Sequence, residues 1–411
     1  MGGNTKSAKR DLLPFQIVMG VTSAAIGGIV TVMGELRDEL ELSSTGIGMI
    51  VTAGFLAAFV AQLSMAHYAD RGYAREMVVI GIAISAVALL VMVVADGLLA
   101  WCLARSALGF AGGLIMPGLR RAASVLDPER VGENLGRLIV GEVGGFLCGP
   151  ILAGVLAEIG GIRLPFAVFA GGMVLFIPFA IRLPADRGAL DTSGRRTSFD
   201  LLRVRRLQGA LLLVWGYFML IGAFESVLPL MFRDRGASTL LTGIAFTSLG
   251  LPIILVSTRA GRLADKVGAA RVATWGITVV ALVSATYGVL PGLMIPIAVM
   301  FVVGVADGFG FTAAQVAVSR AVHENRQAGA LGLMGATEVL GAGLAALPAA
   351  MLYDSVGARW TWLALGTATL ASVAIAQLRF RGTEPVNRSG LDLDLTPLDR
   401  HPTPQTIDRS S

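Results

Sequence analysis

Charge is scarce in this chain. Only 15% of its 411 residues are Asp, Glu, Lys or Arg, while 55% are hydrophobic. Mean hydropathy is +0.72. That balance excludes a water-soluble domain of this length, which would carry about a quarter charged residues. Cysteine is scarcer still. Cys102 and Cys148 both fall inside apolar stretches, where they read as small apolar fillers rather than as a disulfide framework. The three histidines, His67, His323 and His401, are scattered without metal-ligand spacing, so no metal site is expected. No Gly-x-x-x-x-Gly-Lys-Ser/Thr loop occurs, so no ATP site is expected. Neither a cofactor nor an enzymatic centre is therefore anticipated.

What is present is a series of apolar runs of about 20 residues, the length that crosses a bilayer core. Twelve are read: 15–36, 45–66, 76–95, 98–119, 136–157, 164–183, 208–232, 240–260, 272–290, 293–318, 330–352 and 360–380. The first is too long for a cleaved signal and lacks a small-residue cleavage pattern, so it reads as a retained helix. The net charge of +5 points to lipid rather than nucleic acid because of where the cations lie. With the N-terminus in the cytoplasm, Arg37, Arg163, Arg233, Arg235 and Arg359 fall outside and Arg105 lies within a run. Every other Lys and Arg falls on the cytoplasmic side. This positive-inside bias places both termini in the cytoplasm of a cell-membrane protein. Trp101, Trp360 and Trp362 are expected at the outer interface.

The chain divides into a short N-terminal segment (1–14), a first half (15–183), a polar basic linker (184–207), a second half (208–381) and a tail (382–411) that reads as disordered. The linker has room for a short amphipathic helix from Phe199 to Leu207 on the headgroups. The halves repeat weakly. SSTGIGMIV opens the second run and YADRGYAR follows it. TLLTGIAFT opens the eighth and RLADKVGAAR follows that one. Such duplication suits a transporter built from structural repeats.

Four acids interrupt apolar runs: Glu142, Glu225, Asp307 and Glu338, with Arg105 as the one opposing cation. Ionisable residues inside a membrane segment are costly and face the interior, where they mark ion or substrate paths. Burial disfavours the charged form of a carboxyl group. A carboxyl that takes a proton on one side and releases it on the other, binding a cation when empty, is the physical core of proton/cation exchange. Asp307 is most nearly central in its run.

Three motifs carry a family resemblance. Gly261, Leu263, Ala264, Asp265, Lys266, Gly268 and Arg271 resemble the signature loop of the major facilitator superfamily. A weaker copy holds Asp70, Arg71 and Arg75, with Ala66 where the first glycine is expected and Gly72 one residue early. Arg105 with Gly109 and Gly113 resembles the superfamily's fourth-helix motif, although Leu108 stands where a glutamine is usual. Gly141, Gly145, Gly149, Pro150 and Gly154 resemble the fifth-helix motif of its drug/proton antiporters. The resemblance implies an all-α membrane protein: twelve transmembrane helices in two pseudo-symmetric six-helix bundles, the major facilitator fold. It implies rocker-switch alternating access, with the loops around Asp70 and Asp265 acting as inner latches and the fifth-helix glycines packed against the opposite bundle. The function expected is proton-coupled efflux of a small, cationic or amphipathic molecule by a protein working as a monomer, with protons, substrate and the lipid bilayer as partners. A proton-coupled importer on the same fold, and a non-transporting membrane sensor or scaffold, are the alternatives.

Overall fold

The computed structural model describes residues 13–126, 131–182, 199–323 and 326–381. The tail and most of the linker lie outside them. The first half contributes α1 (Leu13–Glu39), α2 (Ser44–Tyr68), α3 (Ala74–Val94), α4 (Leu98–Leu126), α5 (Val131–Gly160) and α6 (Leu164–Ile181). The second contributes α7 (Arg205–Ser226), α8 (Leu228–Asp234), α9 (Thr239–Val267), α10 (Ala269–Ser284), α11 (Met294–Ser319) and α12 (Gln327–Phe380). No strand occurs among the described residues. Backbone groups in lipid must be satisfied within their own segment, and a helix does this.

Ten helical stretches are long and apolar enough to cross a membrane, and α10 is a shorter apolar helix. α8 continues α7 beyond a break. Pro229 has no N–H to give the Glu225 carbonyl four residues earlier, and Val227 leaves the helical path at φ −108°. α12 spans 54 residues, but Gly357 interrupts it at φ 76° and ψ 176°. Only a residue without a Cβ takes up that conformation readily. Unbroken, the helix would be roughly 80 Å long at 1.5 Å per residue, far more than a bilayer core of about 30 Å.

The helix pairings recur between halves. α1 packs along α5 and α2 along α4; α7 packs along α12 and α9 along α11. One apolar core draws on α1–α6, with Leu230 and Ala346 added. Two more draw on the second half, one of them with Val30 added. The halves meet along two seams, α5 with α9 and α2 with α12. Both are lined with small residues. A Cβ on Gly243 would strike the Pro150 carbonyl, and one on Gly48 would strike Ala350. Each seam also carries a threonine hydrogen bond: Thr247 Oγ1 donates to the Leu147 carbonyl at 2.8 Å, and Thr52 Oγ1 to the Gly343 carbonyl at 2.9 Å.

Two local expectations need correction. Trp101 and Trp362 are 1% and 0% exposed, so they are core residues rather than interface anchors. Trp101 stacks edge-on against Phe166, and Trp362 against Tyr287. Of the three, Trp360 alone is exposed. Phe199–Arg203 is a single 3-10 turn that Leu201 ties to the second-half core, and α7 starts directly after it. No separate surface helix forms there.

Candidate functional site

The ionisable residues that interrupt the apolar helices separate into three groups. The first is an ion pair between halves. Arg105 on α4 donates from Nη2 to Glu225 Oε2 on α7 at 3.3 Å. Both residues are buried, at 4% and 8% exposure. The Arg105 stem runs against Gly54 of α2, where a Cβ would collide with it. Arg105 does not snorkel to an interface; it spends its charge on a carboxylate from the other half.

The second group surrounds Asp307, midway along α11 and 1% exposed. Neither carboxylate oxygen is hydrogen-bonded, and no described cation pairs with it. The Tyr217 hydroxyl on α7 lies near enough to act on it electrostatically. One helical turn on, Phe311 stacks on Tyr217 with ring centroids 5.5 Å apart, and Phe218 closes the aromatic cluster. Glycines explain how a carboxylate reaches so deep. Cβ atoms on Gly304 and Gly308 would strike the α9 backbone at Leu249 and Ile253, and one on Gly310 would strike α10 at Ile277. α11 is therefore pressed between its neighbours.

The third group bridges the halves at the other end of the interior. Glu142 on α5 lies 4.0 Å from Arg120 on α4. Glu338 on α12 is within electrostatic reach of both. The four acids thus do not converge on a single point: Glu225 pairs with Arg105, Asp307 stands beside Tyr217, and Glu142 and Glu338 share the neighbourhood of Arg120.

The two signature loops fold alike. Asp265 forms an ion pair with Arg320 at the end of α11, and Asp70 lies 3.9 Å from Arg121 near the end of α4. The partner in each case is a guanidinium. Gly268 and Gly72 both hold positive φ, 106° and 94°. In the first copy Gly72 breaks the helical path between α2 and α3. The remaining loop cations spread over the surface. Arg75 pairs with Glu76 at 3.1 Å, Arg71 lies over the Tyr68 ring, and Lys266 and Arg271 are exposed. Gly261 has open space where a Cβ would be.

The fifth-helix motif divides in two. Cβ atoms on Gly141, Gly145 and Gly149 would meet the backbone of Gln16, Gly20 and Ala24, all on α1 of the same half. The expectation that this stripe faces the opposite bundle is corrected here. Its continuation does cross. Gly154 presses on Leu240, and the Pro150 carbonyl faces Gly243. The reason is the helical period: Gly154 lies five residues beyond Gly149, about 140° round the helix, on the face where Leu147 also meets α9 at Gly250.

A charged cluster absent from the sequence reading closes one end of the molecule. Arg37 on α1 pairs with Asp234 on α8 at 2.5 Å, and Arg233 pairs with Asp38 at 2.6 Å. The Tyr353 hydroxyl donates to Asp234 at 2.6 Å. Asp354 accepts the backbone N–H groups of Ser44 and Thr45 at 3.2 and 2.7 Å, capping α2 from the other half. The Thr239 hydroxyl donates to Glu35. One signal was visible in the sequence: runs one and seven both end in Arg-Asp.

The family model for the Major Facilitator Superfamily matches residues 16–257 and 210–402. Multidrug resistance protein MdtG of Dickeya zeae is 27% identical over 274 residues, covering 64% of this chain and 66% of that protein. MdtG of Enterobacter lignolyticus is 26% identical over 280 residues, covering 64% and 65%. The chain thus spans just under two thirds of the length of these curated relatives. Among solved structures, a bacterial homolog of the human lysosomal transporter Spinster, inward-facing and occupied, superposes with TM-score 0.77 at 13% identity, covering 90% of this chain and 96% of that one. The nucleoside transporter NupG gives 0.70 at 15% identity, covering 91% and 100%. A D-xylose-proton symporter gives 0.72 at 14%, covering 91% and 97%.

Proposed function

The chain belongs to the major facilitator superfamily, and we propose that it is a proton-coupled exporter of small cationic or amphipathic molecules working by alternating access. In this reading the membrane spans number twelve. α10 counts as one, and α12 counts as two, divided at Gly357. Residues 15–183 and 208–381 form the two six-helix bundles, with both termini in the cytoplasm and the Arg37 end outside. The protein works as a monomer in the cell membrane.

The observation that carries the reading is the buried Arg105–Glu225 ion pair joining the halves. A charge pair in a membrane interior is costly to bury, and such pairs mark ion or substrate paths. A proton or a cationic substrate at Glu225 releases Arg105, and the halves are then free to move. Asp307, with no hydrogen bond and beside stacked aromatics, is the second proton-carrying candidate. Glu142 and Glu338 form an entry level on the cytoplasmic side. Aromatic faces next to a carboxylate favour organic cations. Export rather than import is supported by the relatives named for multidrug resistance. The proton symporter among the similar folds keeps import as the alternative reading.

The test uses everted membrane vesicles acidified inside by respiration and probed with ethidium. Export in exchange for protons predicts ethidium uptake that dissipates the pH gradient. An importer would instead release preloaded substrate together with protons. A scaffold would do neither.

A further inference from the structure

We propose that the Arg-Asp pair ending α1 and the Arg-Asp pair ending α8 form a reciprocal latch that holds the Arg37 end of the protein shut. Breaking either cross pair would shift the protein toward the state open at that end. The inference deepens the alternating-access reading and rests on it.

Arg37-Asp38 closes the first run and Arg233-Asp234 the seventh, corresponding places in the two repeats. Each arginine binds the aspartate of the other half, Arg37 to Asp234 and Arg233 to Asp38. A two-fold relation between repeats requires this crossing. If one arginine reaches across, the same operation carries an equal contact back. Two arginines and two aspartates sum to zero charge, and each has a counter-charge in the closed state.

The geometry around the cluster suits a part that opens. Gly34 lets α1 lie directly on the α8 backbone, where a Cβ would be only 2.6 Å from the Pro229 carbonyl. Just beneath, Val30 of the first half is 3% exposed and belongs to an apolar core otherwise made of second-half residues. Asp38 and Asp234 keep 40% side-chain exposure while paired. Water can therefore solvate them as they part, so separation carries little desolvation cost. The Arg105–Glu225 pair is buried and differs in that respect. Among the described residues, these three are the ion pairs that cross between the halves. Asp70 and Asp265 pair within their own halves.

The experiment measures maleimide labelling of purified, detergent-solubilised full-length protein with Cys102 and Cys148 replaced by serine. One probe is Val30→Cys, beneath the latch. The other is Gly335→Cys, at the opposite end, where a Cβ has only Gln62 within 4 Å. Asp38→Arg sets three arginines against one aspartate, and Arg233→Asp does the reverse. Each single variant should raise the labelling rate at Val30→Cys at least tenfold and lower it at Gly335→Cys. The double variant Asp38→Arg/Arg233→Asp, which restores opposite charges, should return both rates to within about twofold of the parent.

Unchanged rates at Val30→Cys would overturn the latch. So would rates that rise at both positions, which is loosening rather than a change of state, and so would a double variant as fast as the singles. If labelling follows the expected pattern but vesicles show no proton exchange, the export reading falls and the latch stands. If exchange is intact and labelling is not, the latch alone falls.

Discussion

Arg105 and Glu225 illustrate why a single buried charge is informative. Removing one member of a buried pair typically costs about 3–5 kcal/mol, because the other is left uncompensated, whereas removing both often costs little. Arg105→Gln should therefore lower the melting temperature sharply, and Arg105→Gln/Glu225→Gln should recover most of the loss. A double-mutant cycle on thermal melts checks this. Additive losses would mean that the two charges are not coupled. Asp307 makes a different prediction. Asp307→Asn should leave folding nearly unchanged, since the amide keeps size and polarity and can still accept from the Tyr217 hydroxyl beside it. It should abolish proton-driven transport while leaving substrate exchange in part, because an amide cannot alternate charge. Transport with unchanged pH dependence in Asp307→Asn vesicles would remove it from the proton path.

At the level of helices, α5 carries two contacts of different consequence. The α1 contact at Gly149 lies within one half, so it persists when the halves move. Gly149→Ala adds a methyl group where the Ala24 backbone already sits, and overpacking of this kind costs about 1–3 kcal/mol. Its melting temperature should fall without a change of conformational balance. Gly154 lies on the seam with α9, pressed on Leu240. There a methyl group penalises only the state in which the seam is closed, and about 1.4 kcal/mol of such bias is a tenfold change in population. Gly154→Ala should raise labelling at Val30→Cys, and Gly149→Ala should not. Equal labelling in the two variants would contradict the division of α5 into an α1 face and an α9 face.

For the whole molecule, the distribution of basic residues makes a topology prediction independent of any site. Reporter fusions after Gly194 and Gly390 should report cytoplasm. Fusions after Asp96 and Arg235 should report the outside. The physical basis is the clustering of Lys and Arg on one set of connections. A periplasmic signal at Gly194 would invert the assignment. The Arg37 latch would then face the cytoplasm, and the Asp70 and Asp265 loops would face out.

The apolar runs, their lengths and the repeat were legible without coordinates, because the bilayer imposes length and hydropathy on each span separately. Arg105, Glu142, Glu225, Asp307 and Glu338 were legible for the same reason, as costly exceptions to an apolar rule. Which of them meet was not. Arg105 and Glu225 are 120 residues apart, and their pairing depends on how two halves pack, which no local pattern encodes. The face of each glycine stripe was equally hidden. Gly149 and Gly154 share a helix but lie on different faces of it, one toward α1 and the other toward α9. The Arg-Asp repeat at the ends of runs one and seven stood in plain view and still carried no meaning. Surface charges pair by three-dimensional proximity, and only the docking of α1 on α8 brings those four side chains together.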